Sequence, residues 1–515
     1  YNDQPQMPHP DHVVPEAERD KLARVEPVYG LTAGLNAKPL AKAIDAALER
    51  VPALPEWLDP AWKARRRWPD WKDALLAAHH PQEEADLAKT SPPRERLAFD
   101  ELLASQLAIT LVRLQQRATP GRALVADGRL RAKVLAALPF ELTGSQRIAI
   151  KEIAADMASD QRMTRLLQGD VGSGKTVVAL MAMLMAVEAG AQAALMAPTE
   201  LLARQHFATM APLAMAAGVR LELLTGRDGV KRKREIHAAL ASGEIDLVVG
   251  THALVQDDVA FRDLALAVVD EQHRFGVDQR LALSSKGAAV DLLAMTATPI
   301  PRTLMLAAYG DLDTSRLVDK PAGRLPIDTR TISLERLDEV VEGIGRRVAA
   351  GARVYWVCPL VEESELIDLA AAEDRYRHLR GRYGDRVVMV HGQMKGAERD
   401  AAMAAFASGA ADILVATTVI EVGVDVSAAT VMVIEHAERF GLAQLHQLRG
   451  RVGRGAGASV CLLLFGQPLS EAARARLAIM RETEDGFRIA EEDLRLRGAG
   501  ELLGTRQSGL PEMRL

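Results

Sequence analysis

Short hydrophobic runs alternate with helical patterns along most of the chain. From about residue 140, the runs are separated by segments whose apolar residues recur at helical spacing. One series of runs lies at 193–196, 247–249, 265–269 and 292–295, and a second lies at 354–357, 387–390, 413–415, 431–434 and 460–465. This alternation predicts parallel sheets covered by helices, and the two series predict two α/β lobes in tandem.

The other regions have different patterns. Residues 1–60 contain nine prolines, which interrupt any long element, whereas apolar positions between 99 and 114 follow the spacing of one packed helix. Residues 320–327 have the proline and glycine content of a linker, and the last forty residues are charged and helical up to Arg497 and then rich in glycine. We therefore predict a helical linker region at 1–120, a first lobe at 121–318, a second lobe at 319–470 and a separate C-terminal segment at 471–515.

Composition changes this picture little. The chain has 515 residues, 48% hydrophobic and 26% charged, as in ordinary multidomain globular proteins. The two cysteines, Cys358 and Cys461, lie in apolar runs and exclude a disulfide framework, which favours the reducing cytoplasm. The first ten residues do not resemble a secretory signal, and the longest apolar run, 177–187, is too short to span a membrane. The net charge of −5 argues against a uniformly basic surface, but nucleic-acid binding needs only a local basic groove.

Residues 169–176 read GDVGSGKT and stand between an apolar run and a helical pattern, which is the context of a phosphate-binding loop. In such a loop the backbone N–H groups hold phosphate oxygens, Lys175 reaches the β- and γ-phosphates, and Thr176 ligates Mg²⁺. An ordinary glycine turn is the alternative that this context disfavours. The candidate nucleotide-binding residues are Gly169, Asp170, Val171, Gly172, Ser173, Gly174, Lys175 and Thr176.

Two carboxylates follow the apolar run 265–269. Asp270 is a candidate ligand of Mg²⁺, and Glu271 is a candidate for polarising the water that attacks the nucleotide. An acidic pair after a strand is by itself usually a solvated strand end. Paired with the phosphate loop, the catalytic interpretation is the better one.

Residues 447–454 read QLRGRVGR and place Arg451 and Arg454 three residues apart, so both can face one way as on a helical turn. Their guanidinium groups are candidates for stabilising charge on the transferring phosphoryl group, with solvated surface arginines as the alternative. The hydroxyl residues after the runs at 292–295 and 413–415 are more often caps and turns than ligands. The basic run at 231–234 is more often a solvated helix face than a phosphate contact.

Taken together, these segments resemble the superfamily-two helicases, whose two RecA-like lobes close over ATP and step along nucleic acid. The resemblance implies an α/β fold of two tandem RecA-like parallel-sheet lobes, with ATP and Mg²⁺ as cofactors. It implies that the adenine is read by Phe140, Thr143 and Gln146, and that the second lobe contacts the nucleotide through Gly423 and Asp425 and supplies a catalytic glutamine, Gln447. The residues implied to couple hydrolysis to movement are His273, Thr296 and Thr298. The implied nucleic-acid contacts are Pro198, Thr199, Glu200, Thr251, His252, Thr417 and Thr418.

The longest matching strings, 167–176, 270–277 and 294–303, resemble the RecG family of bacterial DNA helicases. Residues 485–507 are similar to that family's helical translocation motif and carry the implied DNA contacts Arg497 and Gln507. The resemblance implies an ATP-dependent double-stranded DNA translocase that remodels stalled replication forks and recombination junctions by branch migration and fork reversal. Branched and double-stranded DNA are the implied partners, and a single-stranded DNA-binding protein is a further candidate.

RecG proteins begin with an OB-fold wedge, and from the position of the first matching strings we expect this chain to lack one. From this we expect an incomplete chain that keeps at most a remnant of the wedge, with fork selectivity and unwinding as the properties in doubt. A transcription-repair coupling translocase shares the tail motif and is one alternative. The other is a nucleotide-dependent DNA-binding module without turnover, against which the presence of Glu271, Arg451 and Arg454 argues.

Overall fold

The protein is described by a computed structural model. The described residues are 13–21, 25, 28–31, 36–117, 120–271, 282–301, 312–321, 323–359, 365–394, 396–417, 426, 428–455 and 457–497, with backbone alone at 19–21, 109, 112–113, 115–117, 365–370 and 497. Of the site residues expected from the sequence, those outside this description are His273, Thr418, Gly423, Asp425, Gln507 and the side chain of Arg497.

The chain divides near residue 108 into two compact units. Helices of the first unit are α1 (Ala37–Leu48), α2 (Pro60–Arg66), α3 (Trp71–His79) and the first turns of α4 (Pro92–Arg117). Helix α2 begins where the Asp59 side chain accepts a hydrogen bond from Trp62 N, with a proline in the first turn. The rings of Trp62, Trp68 and Phe99 pack with centroids 4.8–5.2 Å apart and form the aromatic core of this unit.

The second unit contains two parallel sheets. Strands of the first sheet are β1 (Thr164–Gly169), β2 (Gln192–Met196), β3 (Leu221–Leu224), β4 (Leu247–Gly250), β5 (Leu264–Val269), β6 (Asp291–Thr296) and β7 (Asp313–Leu317), in the order β3-β4-β2-β5-β6-β1-β7. Its helices are α5 (Arg129–Ala137), α6 (Gly144–Met157), α7 (Lys175–Glu188), α8 (Glu200–Ala217) and α9 (Val230–Ser242). All described pairings in this sheet are parallel, so the carboxyl ends of its strands meet at one edge.

The second sheet has the same architecture. Its strands are β8 (Asp328–Ser333), β9 (Arg353–Val357), β10 (Val387–Val390), β11 (Ile413–Ala416), β12 (Ala429–Ile434) and β13 (Val460–Phe465), in the order β10-β11-β9-β12-β13-β8 and again parallel. Its helices are α10 (Leu337–Ala349), α11 (Glu365–Tyr383), α12 (Gly396–Ser408), α13 (Leu442–Arg449), α14 (Glu471–Glu482) and α15 (Gly486–Arg497). The predicted class, two tandem α/β lobes followed by C-terminal helices, is confirmed.

Both faces of each sheet are covered, which explains the continuous apolar runs. In β2, Leu195 packs into one hydrophobic cluster while Ala194 and Met196 pack into the cluster on the opposite face. In β9, Tyr355 and Trp356 divide in the same way. A strand buried on both sides has no polar face, so its sequence does not alternate.

Candidate nucleotide-binding and hydrolysis site

The phosphate loop, residues 169–176, connects β1 to α7 at the carboxyl edge of the first sheet. Gly172 and Gly174 have φ of +74° and +84°, a left-handed conformation that glycine adopts readily. Among the described residues, no side chain caps the first turn of α7. Nζ of Lys175 donates to the carbonyl oxygens of Gly169 (2.7 Å) and Asp170 (3.1 Å), which curls the loop around the amine. The helix N-terminus and the lysine form a cradle suited to an anion.

Two of the three expected adenine-reading residues are tied to this loop. Thr143 and Gln146 exchange hydrogen bonds at the start of α6, and Nε2 of Gln146 donates to the carbonyl oxygen of Ser173 at 2.8 Å. A Cβ on Gly174 would lie 2.3 Å from the same Nε2, so a larger residue would displace the Gln146 side chain from the loop. Phe140 precedes this segment with its side chain 52% exposed.

The two carboxylates after β5 face the same region. Oδ2 of Asp270 lies 2.7 Å from Nε2 of His206, and Nδ1 of His206 lies 3.4 Å from Oγ1 of Thr176. A single imidazole on α8 therefore contacts both expected Mg²⁺ ligands. Glu271 has a φ of +50°, which is unusual for a residue with a side chain and marks local strain.

Burial and neighbouring charges shift the pKa values of these groups in opposite directions. Burial raises the pKa of Glu271, and the adjacent charge of Asp270 raises it further. Burial also opposes ionisation of Asp270, but the His206 ring and the Lys175 amine together hold the pKa of Asp270 below its usual value. Burial lowers the pKa of Lys175 despite the surrounding carboxylates. Asp270 therefore stays ionised, whereas Glu271 accepts a proton more readily.

The threonines expected to couple hydrolysis to movement lie at the end of β6 and just after it, next to Glu271. Oγ1 of Thr296 lies 2.9 Å from Oγ1 of Thr298 and accepts a hydrogen bond from the Thr298 N–H at 3.2 Å. The N–H of the intervening Ala297 donates to Oε2 of Glu271 at 3.5 Å. The turn after β6 is therefore in contact with the second carboxylate.

The second sheet contributes the arginines. Helix α13 ends at Arg449, and Arg451 and Arg454 follow it in a non-helical turn that contains Gly453 with φ +77°. The turn that carries the arginines lies against the phosphate loop, because a Cβ on Gly450 would lie 2.9 Å from Cβ of Val171. The positive charge of Arg451 opposes the rise in the pKa of Glu271, and that of Arg454 adds to the lowering of the pKa of Lys175. Burial lowers the pKa of Arg454 to about 10.

Gln447 lies on α13, partly buried, one residue after His446. His446 and Arg449 had no role in the sequence interpretation. Nε2 of His446 lies 3.1 Å from Oδ1 of Asp170, and Nη1 of Arg449 donates to the carbonyl oxygens of Met480 (2.6 Å) and Thr483 (3.0 Å). Helix α13 is therefore joined on one side to the phosphate loop and on the other to the end of α14.

The expected nucleic-acid contacts are spread over other strand ends. Oγ1 of Thr199 accepts a hydrogen bond from Leu202 N at the start of α8, with Pro198 just before it, and Glu200 pairs with Arg204 at 2.7 Å. Thr251 and Thr417 are 4% and 2% exposed, whereas His252 is exposed. In this conformation both threonine hydroxyls are buried, and neither has a hydrogen-bond partner among the described residues.

Two parallel-sheet lobes, a phosphate loop with paired carboxylates on the first and arginines on the second, define the class of two-lobed helicase cores. Residues 143–306 match the DEAD/DEAH box helicase family, and residues 334–456 match the helicase conserved C-terminal domain. S. cerevisiae Dbp5 shares this fold, with a TM-score of 0.51 and 17% identity over 73% of this chain and 92% of Dbp5.

Further matches place the chain in a narrower family within this class. Residues 483–512 match the C-terminal part of domain 3 of the ATP-dependent DNA helicase RecG. The chain is 46% identical to RecG of Synechocystis sp., covering 100% of this chain and 62% of the relative, and 45% identical to RecG of Escherichia coli K12, covering 99% and 75%. A structure of RecG bound to a three-way DNA junction superposes with a TM-score of 0.75 at 41% identity, over 97% of this chain and 65% of that one. The chain belongs to the RecG family of ATP-dependent DNA helicases.

Two structural features are absent from the described residues. No helix among them is long and apolar enough to cross a lipid bilayer. No group of three or more histidine, cysteine, aspartate or glutamate side chains among them is arranged to hold a metal ion.

Proposed function

We propose that this chain is an ATP-driven motor that translocates on double-stranded DNA and remodels stalled replication forks and recombination junctions. The observation that carries the proposal is the convergence of Lys175, Asp270 and Glu271 from the first sheet with Arg451 and Arg454 from the second. Groups from two lobes around one phosphate loop suit hydrolysis coupled to lobe movement. Because the chain spans 62% of the Synechocystis relative, the activity of the longer protein is part of the proposal.

In this proposal the phosphate loop holds the polyphosphate, and Thr143 and Gln146, with Phe140, read the adenine. Thr176 and Asp270 would hold Mg²⁺, and their fit is supported by the His206 ring that contacts an oxygen of each. Mg²⁺ prefers such oxygen ligands and takes its remaining ligands from water and phosphate. When bound, the ion would supply neutralisation of charge on the phosphates.

The remaining roles divide between chemistry and coupling. Glu271, with its raised pKa, would orient the attacking water and accept its proton. Arg451 and Arg454, assisted by Gln447, would stabilise charge in the transition state. Coupling residues in this proposal are His273, Thr296 and Thr298, and DNA contacts are Pro198, Thr199, Glu200, Thr251, His252, Thr417, Thr418, Arg497 and Gln507. Gly423 and Asp425 would complete the nucleotide site.

The experiment that tests this function compares ATP hydrolysis stimulated by a branched fork, linear duplex and single-stranded DNA, with Lys175→Ala as the blank. We expect the fork and the duplex to stimulate most, and the blank to stay at background. Stimulation by RNA to the same level would oppose a DNA-specific motor. Nucleotide-dependent DNA binding without turnover would instead support the alternative of a binding module.

Location and protein partners are part of the same proposal. Both cysteines, Cys358 and Cys461, are free and buried, which suits a reducing cytoplasm where DNA is available. The single-stranded DNA-binding protein stays a prediction from the resemblance. The transcription-repair alternative loses its support because the relatives at 45–46% identity are RecG helicases.

A further inference from the structure

Arg324 lies in the connecting segment, residues 318–327, between the last strand of the first sheet and the first strand of the second. Its guanidinium group is directed at the tip of the phosphate loop. A Cβ built on Gly172 would lie 2.2 Å from Nη2 and 2.7 Å from Nη1 of Arg324, and Nη1 donates to the carbonyl oxygen of Val171 at 3.4 Å. An arginine from the connecting segment therefore rests against the loop that would hold the phosphates.

No ion pair with a described residue explains why Arg324 lies against the phosphate loop. Within the described part of the chain, no carboxylate lies within ion-pair distance of its guanidinium group. Burial lowers the pKa of Arg324, and burial together with the charge of Arg324 lowers that of Arg454. An anion that lies close to both guanidinium groups would be stabilised by the two positive charges. The phosphate loop is the place in the fold where an anion is expected.

Contacts on either side of Arg324 fix the connecting segment. The Glu484 carboxylate pairs with Lys320 and accepts a hydrogen bond from the backbone N–H of Ile327. Gly323, with φ +84°, supplies the turn immediately before the arginine. Glu484 stands between α14 and α15, so these contacts attach the segment to the C-terminal helices.

We propose that Arg324 is a third phosphate-binding arginine, which contacts the β- and γ-phosphates of the bound nucleotide from the connecting segment. The proposal rests on the proposed function of the same site and adds a residue that neither lobe motif contains. Loss of the γ-phosphate removes this contact of Arg324. Because Glu484 binds the connecting segment through Lys320 and Ile327, the resulting shift of the segment is transmitted to α14 and α15.

The test measures nucleotide affinity and DNA-stimulated turnover of the full chain carrying Arg324→Ala or Arg324→Lys. Arg330→Ala is the matched control, because Arg330 is 66% exposed on β8 and pairs with Asp328 rather than facing the loop. We expect Arg324→Ala to weaken binding of ATPγS and of inorganic tripolyphosphate about tenfold or more, since one charge-assisted contact is lost. Binding of AMP, which lacks the β- and γ-phosphates, is expected to stay within about twofold. The lysine variant keeps the charge and is expected to recover part of the loss.

If Arg324 served only to stabilise the fold, its loss would not discriminate between ligands with and without the β- and γ-phosphates. Equal weakening of AMP, ATPγS and tripolyphosphate by Arg324→Ala would overturn the proposal, and so would unchanged affinity for all three. Lys175→Ala separates this outcome from failure of the site itself. If Lys175→Ala abolishes turnover while Arg324→Ala binds tripolyphosphate normally, the proposed function stands and the role of Arg324 is lost. If Lys175→Ala keeps full turnover, the proposed function fails as well.

Discussion

The carboxylate of Asp170, the second residue of the phosphate loop, faces the imidazole of His446 on the other lobe, with Oδ1 and Nε2 3.1 Å apart. Oδ2 of the same carboxylate accepts a hydrogen bond from the N–H of Gly486 at 3.3 Å, where α15 begins. Burial opposes ionisation of Asp170, but the neighbouring His446 ring holds the pKa of this carboxyl below its usual value. One side chain thus joins the nucleotide loop to the second lobe and to the C-terminal helices.

We expect Gly486→Ala to disrupt this junction. A Cβ at residue 486 would lie 2.0 Å from Oδ1 of Asp170 and 2.6 Å from Nε2 of His446, so the side chains must separate. The expected result is a loss of about fivefold or more in the stimulation of ATP hydrolysis by duplex DNA, with hydrolysis in the absence of DNA changed less. The measurement is the ratio of the two rates at saturating ATP.

Gly381→Ala is the matched control, because a Cβ at this position in α11 meets no atom within 4 Å. In a helix this substitution is expected to be neutral or stabilising by roughly 0.5–1 kcal/mol. If Gly486→Ala keeps the stimulation ratio of the parent chain, the junction does not couple DNA binding to hydrolysis.

We expect Glu271→Gln to keep nucleotide affinity and to lower DNA-stimulated turnover by roughly 10²-fold or more, because the amide cannot accept a proton from water. The buried carboxylate has the raised pKa that suits a proton acceptor. Binding of a fluorescent ATP analogue and steady-state hydrolysis measure the two effects. Glu244→Gln, at a side chain that is 66% exposed and pairs with Arg220, controls for loss of a negative charge. Turnover within twofold of the parent would remove Glu271 from this role.

Asp291, at the start of β6, provides a pH-dependent contribution to stability. Burial raises the pKa of this carboxyl from 3.8 to about 7, although Oδ1 accepts a hydrogen bond from Met163 N at 2.7 Å. The folded state therefore holds the proton more tightly than the unfolded state. The stabilisation is fully present below about pH 4 and is lost as the pH rises to about 7.

We accordingly expect Asp291→Asn to raise the thermal midpoint more at pH 8 than at pH 5. Asparagine keeps an acceptor for Met163 N and carries no charge, so at pH 8 it removes a cost of roughly 2–4 kcal/mol. Thermal unfolding at the two pH values measures the difference. Asp385→Asn, at a side chain that is 94% exposed, should shift both midpoints little and equally. A shift for Asp291→Asn that is the same at both pH values would contradict the raised pKa.

The sequence predicted the interior of each sheet better than its edges. The runs at 193–196 and 265–269 became β2 and β5, which are buried on both faces. The strands that the pattern missed, β3, β7 and β8, lie at sheet edges. There the burial alternates or is partial, as in Asp328–Ser333, so polar residues interrupt the hydrophobic run. The remaining edge strand, β10, has the continuous apolar sequence VVMV and was predicted.

The residues of the candidate site were also predicted unevenly from the sequence. Lys175, Asp270 and Glu271 were found because their types and spacing follow strands directly in the sequence. His206 and Arg324 were not found, because each lies far along the chain from its partners and carries no local motif. Their positions depend on which helices and segments meet at the sheet edge. The catalytic and coupling roles of the site residues remain predictions, which the proposed substitutions test.

We expect Arg454→Ala to lower the turnover number by roughly 10³-fold while changing ADP affinity by less than about threefold. The reason is that a guanidinium group on the second lobe meets the full phosphate charge mainly in the transition state. Burial lowers the pKa of Arg454 to about 10, so the group is still charged at neutral pH. Steady-state kinetics with saturating duplex DNA and ADP titration measure the two quantities. Arg336→Ala, at a 62% exposed side chain paired with Glu339, is the control. Equal losses in ADP affinity and in turnover would mean that Arg454 binds the ground state and would remove it from the transition-state role.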